Sequence, residues 1–166
     1  DWKSKSFMAS IFMGELDLSL ATPFPLQAAE DKEIGDAICE KVDAWALENI
    51  NGEEIDHTGI IPASVFRGLA ELGLFGIKIP TKYGGLGLSQ TNYMRVLGTV
   101  AQHCGSTVAT LSAHQSIGLP QPLKLFGTDA QKAKYLPHCA RGAITAFALT
   151  EISAGSDPAN MSTTAE

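Results

Sequence analysis

Apolar positions recur along most of this chain at helical spacing and switch to strand spacing only near its end. Between Gln27 and Ile50, the residues Ile34, Ile38, Val42 and Trp45 follow at intervals of four, four and three, which lays one stripe along a long helix. Asp31, Lys32, Asp36, Glu40 and Asp43 fall mostly on the other side and predict its wet face. Trp45 is then a core residue. Asn51-Gly52 predicts the stop, and Glu53 to Thr58 a polar loop with a solvated His57. Ile60 to Leu72 predicts a second helix, with Val65, Phe66, Leu69 and Leu72 facing inward. Pro62 suits its first turn, where a missing N–H costs nothing, and Gly73 suits a left-handed cap.

Leu74 to Pro80 is a short apolar connector, and Thr81 to Gly87 is too rich in glycine for regular structure. These glycines lack the spacing of a phosphate cradle, so the run predicts a loop that packs its backbone closely against a helix. Ser89 caps a helix to about His103, with Tyr93, Val96, Leu97 and Val100 on one face. Ser106 opens another through Ile117, and Pro120 and Pro122 break the chain. Thr128-Asp129-Ala130-Gln131 is a capping box for a last helix to Cys139, with Ala133, Leu136 and Cys139 inward, His138 at its C-terminal end and Arg141-Gly142 closing it. At the start, Phe7, Met8, Ile11 and Phe12 predict a short amphipathic helix docking on a larger body. Pro23 and Pro25 make Leu16 to Leu26 an extended connector.

The period changes after Gly142. Ile144 to Thr150 is an alternating apolar segment with β-favouring Ile, Thr and Phe, its side chains sent alternately to two faces, and predicts a strand. Ser153 to Asp157 then predicts a tight turn in which Gly155 tolerates a positive φ and backbone N–H groups face open space. Such a turn can hold an anion or the polar edge of a cofactor. From spacing alone it reads first as an ordinary strand exit, since Gly/Ser/Asp turns end many strands. Helices followed by strands, without βαβ alternation, disfavour a doubly wound sheet. The expected fold is mainly α, a helical bundle followed by the first strands of a β-domain. The divisions are an extension over 1–26, a helical domain over 27–142 and an incomplete β-region over 143–166.

Composition narrows the function. The 166 residues are 45% hydrophobic and 18% charged, which describes a globular chain. A net charge of −6 with scattered Lys and Arg excludes nucleic acid or anionic membrane as the main partner. Cys39, Cys104 and Cys139 form no CxxC and suggest a reducing compartment. His57, His103, His114 and His138 show no ligand spacing, so no metal site is expected. No apolar run predicts a transmembrane segment. The start at Asp1 without Met, and an end at Glu166 inside what reads as a next strand, make a piece of something longer the expectation.

The run Phe147-Ala148-Leu149-Thr150-Glu151-Ile152-Ser153-Ala154-Gly155-Ser156-Asp157 closely resembles the flavin-binding signature of acyl-CoA dehydrogenases. Leu72 to Leu88 and Phe126 to Gly142 resemble the same family, in its order. The opening Lys5-Ser6-Phe7 with Phe12-Met13-Gly14, and Ala113-His114-Gln115-Ser116-Ile117-Gly118, look like its very-long-chain branch. The resemblance implies a three-part enzyme, of which this chain is the first part and the opening of a β-barrel-like second. It implies FAD and an acyl-CoA substrate, from which a carboxylate removes the α-proton while the β-hydrogen leaves as hydride, giving a trans-2-enoyl-CoA in fatty-acid β-oxidation. It implies an electron-transfer flavoprotein as electron acceptor and a homo-oligomer, dimer or tetramer. The location would be cytoplasmic in a bacterium, and the mitochondrial matrix or inner-membrane face in a eukaryote.

Carried over by residue, the resemblance puts Phe147 and Leu149 along the flavin ring and Thr150 at its polar edge. Ala148, Glu151, Ile152, Ser153 and Ala154 continue the same wall. Gly155 permits the turn, and Ser156 meets the cofactor's phosphate region and the pantetheine side of the substrate. Asp157 is a turn-stabilising acceptor rather than a ligand. Ile152 departs from the family's Pro. The base belongs to a C-terminal domain outside this chain, so no catalytic residue is named and Glu151 is not the base. His114 and Gln115 border the acyl channel or are satisfied structural groups. A binding or assembly subunit of the same fold, or a flavin oxidase or monooxygenase, is the alternative to a dehydrogenase.

Overall fold

The computed structural model describes residues 6–164, and its elements among those residues are eight α-helices joined by short 3-10 turns. The longest are α2 (Ala29–Asn49), α5 (Gln90–His103) and α6 (Gly105–Ser116). α2 lies along α5, and α5 along α6. Of the predicted stripe of α2, Val42 is essentially without exposure, as is Ala46 one turn on, while Ile34 remains 45% exposed. Trp45 is half-buried over α4 (Ala63–Glu71), where Gly68 leaves room for its ring. Val65 and Leu69 of α4 complete this side of the core.

Asp31 does more than wet the face of α2. Its carboxylate accepts from the Gln27 amide (2.6 Å) and the Ser89 hydroxyl (2.8 Å), and these bonds hold its pKa below the usual carboxylate range. Asn92, with no exposure, donates Nδ2 to the Asp31 carbonyl (2.7 Å) and carboxylate (2.9 Å), and its Oδ1 accepts from Gln27 (2.8 Å). Gly35 admits this clamp, since a Cβ there would collide with the Asn92 amide. Asn92→Leu is expected to lower the unfolding free energy by about 1–3 kcal/mol, because it removes a buried amide and strands its half-buried partners Gln27 and Asp31. Urea unfolding checks this, and an unchanged midpoint contradicts it.

The stretch read as a connector is instead the centre of the molecule. Leu74, Phe75, Ile77 and Ile79 are each 0–1% exposed. The glycine run folds back over them: Leu86 N–H donates to Gly76 O (2.9 Å), Leu88 N–H to Ile77 O (2.8 Å) and Gly87 N–H to Ile79 O (2.9 Å). The close backbone approach is present, but its partner is this central stretch rather than a regular α-helix. Gly73 caps in the left-handed region at φ 76°, as its position predicts.

Three expectations are corrected. Residues 53–58 are not a loop but part of α3 (Gly52–Thr58), capped by Asn51 Oδ1, which accepts from Glu54 N–H (3.1 Å). The prolines do not break the chain after α6. They open α7 (Pro120–Phe126), where Pro120 occupies a first-turn position whose N–H would be unpaired anyway. In α8 (Asp129–Ala140) the predicted capping box is formed and Leu136 and Cys139 are buried, but Ala133 is exposed. The helix α1 (Phe7–Phe12) is present, none of its residues is buried, and Phe12 is 84% exposed.

The predicted strand is also absent. Residues 143–150 form no ladder among the described residues. The alternation of apolar residues is there, but a strand is defined by the backbone partner it pairs with. No helix among the described residues is long and apolar enough to cross a membrane.

Candidate functional site

The segment that follows α8 leaves the helical body through a fixed turn. Gly142 adopts φ 98°, and a Cβ there would lie 2.8 Å from that of Ala70. Gly142 N–H donates to Cys139 O (3.1 Å) and Ala143 N–H to His138 O (3.0 Å), so the helix end dictates the departure. Three residues on, Thr145 N–H donates to Nδ1 of His114 (3.2 Å), and the Thr145 hydroxyl accepts from Leu119 N–H (3.1 Å).

Beyond that point the chain turns outward. Phe147 is 56% exposed and Leu149 37%, two large apolar side chains with solvent on them. Ala146, Ala148 and Thr150 are exposed beside them. A tight turn follows: Glu151 N–H donates to Ala154 O (3.1 Å) and Ala154 N–H to Glu151 O (3.3 Å). Ala154 alone of the turn is buried, and Ile152 at its tip is fully exposed. Ser153 and Ser156 are exposed, and neither they nor Thr150 engage their hydroxyls in a hydrogen bond among the described residues. Asp157 accepts from the Asn160 amide and so stabilises the next turn, as expected.

Gly155 corrects one expectation. Its φ lies outside the left-handed region, and a Cβ on it would meet nothing within 4 Å. The turn does not depend on it.

Glu151 is committed to holding the loop shut. One carboxylate oxygen accepts from Ser162 N–H (2.8 Å) and hydroxyl (3.0 Å), the other from Thr163 N–H (2.7 Å). These donors, with the Ser162 N–H foremost, pull its pKa down from 4.5 to about 2. A group this acidic stays ionised near neutral pH and is a poor proton acceptor. Because the folded pKa is depressed, the stabilisation of the loop is complete above the ordinary value and is lost as pH falls from 4.5 through about 2. Amide exchange of Ser162 and Thr163 is expected to accelerate across that window beyond the intrinsic pH effect. Exchange that follows the intrinsic rate alone contradicts the staple.

His114 and Gln115 on α6 are both buried. Gln115 donates to Leu74 O (2.8 Å) and accepts from Lys78 N–H (3.4 Å), which makes it a structural group tying α6 to the central stretch. The His114 ring meets Phe75 edge-on at 5.3 Å, and its Nε2 has no hydrogen-bond partner. Burial pushes its pKa down, partly offset by backbone groups of Phe75 and Cys139, so the ring is held neutral.

Residues 147–156 thus present an exposed apolar pair followed by uncommitted hydroxyls on a stapled turn. That donor set fits a planar ring system with an apolar face and a hydrogen-bonding edge, as FAD has. These are the residues that the sequence motif names. It missed Thr145, whose contact to His114 spans 31 residues and leaves no local signal.

Residues 32–143 match the family described as "Acyl-CoA dehydrogenase, N-terminal domain". A probable acyl-CoA dehydrogenase of Mycobacterium tuberculosis, FadE10, is 48% identical over 164 residues, covering 99% of this chain and 25% of that protein. The human mitochondrial very long-chain specific acyl-CoA dehydrogenase is 39% identical over 165 residues, covering 98% and 25%. Among solved structures, an acyl-CoA dehydrogenase from Bacillus anthracis complexed with FAD superposes with a TM-score of 0.65 at 28% identity, over 84% of this chain and 24% of that one. The chain spans about a quarter of the length of the curated relatives it matches.

Proposed function

Because this chain belongs to the acyl-CoA dehydrogenase family, we propose that it serves in the α,β-dehydrogenation of long-chain fatty acyl-CoA thioesters with FAD as cofactor. The observation that carries the cofactor assignment is the wall itself. Phe147 and Leu149 stand exposed, and Thr150, Ser153 and Ser156 offer free hydroxyls, all within the segment that resembles the family's flavin signature. The long-chain preference rests on the 39% identity to a very long-chain specific relative.

FAD, when bound, supplies the two-electron acceptor. Phe147 and Leu149 bind its apolar face and keep water from it. Thr150 and the turn over 151–156 hold its polar edge, and Ser156 orients the pantetheine side of the substrate. Glu151 holds no transferable proton, since its carboxylate is saturated by Ser162 and Thr163. The α C–H of a thioester needs a positioned base, and that base is assigned to a part of the protein outside these residues. An electron-transfer flavoprotein as acceptor and a dimer or tetramer as assembly belong to the same reading.

The test is the full-length protein. It is expected to be yellow, to bleach when palmitoyl-CoA is added, and to reduce a dye acceptor. A folded but colourless protein overturns the reading. Hydrogen peroxide formed in air without a dye assigns it to an oxidase. Residues 1–166 alone are expected to show no turnover and to bind FAD weakly or not at all.

A further inference from the structure

Between Ile144 and Thr150, Thr145 is the one residue hydrogen-bonded to the helical body among the described residues. Its neighbours Ile144, Phe147 and Leu149 are 54%, 56% and 37% exposed, so packing does little to fix them. We propose that the junction of His114, Thr145 and Leu119 sets the direction and register of residues 147–156, with Thr145 and His114 as positioning residues of the cofactor wall. This rests on the functional reading above.

The geometry is that of a three-way joint. The Thr145 N–H donates to His114 Nδ1 at 3.2 Å, its hydroxyl lies 3.0 Å from the same nitrogen, and that hydroxyl accepts the Leu119 N–H at 3.1 Å. An imidazole nitrogen that accepts an N–H is unprotonated, so the neutral ring carries its hydrogen on Nε2. The ring cannot swing away. It is 1% exposed and braced edge-on by Phe75. Gly118 lets the joint close, because a Cβ there would fall on both the His114 carbonyl oxygen and the Thr145 hydroxyl.

Register explains why the joint sits two residues before Phe147. Large and small side chains alternate from there: Phe147 and Leu149 against Ala146 and Ala148. A slip of one residue would turn the alanines toward the cofactor and the large residues away from it. A single clamp at Thr145 forbids the slip. A merely satisfied core histidine would give the ring a partner but would have no effect on the residues downstream.

The experiment uses the full-length protein with Thr145→Val, which keeps shape and N–H but removes the hydroxyl, and Thr145→Ser, which keeps the hydroxyl. A further variant, Leu119→Pro, removes the N–H donor, together with the leucine side chain, at a residue whose φ of −56° already suits proline. Three readouts are taken: FAD affinity, the visible circular dichroism of bound flavin, and amide exchange over residues 146–150. Thr145→Val is expected to weaken FAD binding about tenfold, the effect of one lost hydrogen bond. It is also expected to alter the dichroism and to speed the exchange, while Thr145→Ser restores all three. If Thr145→Val fails to fold, Leu119→Pro is expected to give the same three changes. Wild-type affinity, dichroism and exchange in the folded variant overturn the proposal, as does a serine variant that restores nothing. If the wild-type protein binds no FAD, the functional reading falls. The joint is then judged on exchange alone, and equal rates in wild type and Thr145→Val overturn it.

Discussion

Phe75→Ala is expected to lower the unfolding free energy of the chain by about 3–5 kcal/mol, the range for deleting a buried aromatic ring. Phe75 is 1% exposed. Its ring meets Phe66 at 6.5 Å and His114 at 5.3 Å, and it lies 3.5 Å from the space a Cβ on Gly142 would take. It therefore touches α4, α6 and the exit from α8 at once. A cavity there has several rigid walls and cannot collapse easily, which places the cost high in the range. Urea unfolding should show a lower midpoint with an unchanged slope. Phe75→Leu, which leaves a smaller cavity, is expected to cost clearly less. A loss under about 1 kcal/mol for the alanine variant, no more than a typical surface change, would contradict this placement.

The same residue marks the limit of what could be read beforehand. Helices with a long stripe were legible: α2, α4, α5 and α8 lie where their apolar spacing or capping residues put them. Leu74 to Pro80 has neither helical nor strand period, because its seven residues are interrupted by Gly76 and end in Pro80. Its burial comes from what wraps it, and that is a tertiary property. The error over α3 was avoidable. Asn51 and Glu54 form a capping pair, with Asn51 Oδ1 accepting from the Glu54 amide at 3.1 Å. Pro120 misled because a proline at a first turn and a proline that breaks a helix look alike until the next residues are placed.

The candidate wall was legible as a motif and not as a structure. Alternation over residues 144–150 predicted a strand, but the described residues supply no partner for it, and it remains irregular. What orients it instead is the contact from His114, 31 residues away. The motif names the residues proposed to face the cofactor, while the joint proposed to aim them becomes visible only when α6 and Thr145 are side by side.

Gly85→Ala and Gly155→Ala are expected to fail in opposite ways. A Cβ on Gly85 would overlap the Ile79 carbonyl oxygen and lie 2.5 Å from the Ile79 Cβ. Neither atom is free to yield. The carbonyl is held by the Gly87 N–H at 2.9 Å, and Ile79 is 1% exposed in the second core cluster with Leu123 and Leu136. The loop must lift off the central stretch, at a cost of about 3 kcal/mol, the upper end for overpacking. Gly155 has open space around it and no left-handed φ, so alanine there should leave the unfolding free energy within about 0.5 kcal/mol. Its effect, on the functional reading, appears only when FAD is present, because an added methyl stands where backbone is expected to approach the cofactor. Paired measurement of urea midpoint and FAD retention in the full-length protein separates the two. Gly85→Ala should lose stability, with flavin lost only as the fold is lost, whereas Gly155→Ala should keep its midpoint and release flavin. A Gly155→Ala protein that is as stable and as yellow as wild type removes Gly155 from the wall, and a stable Gly85→Ala protein means the glycine loop does not press on Ile79.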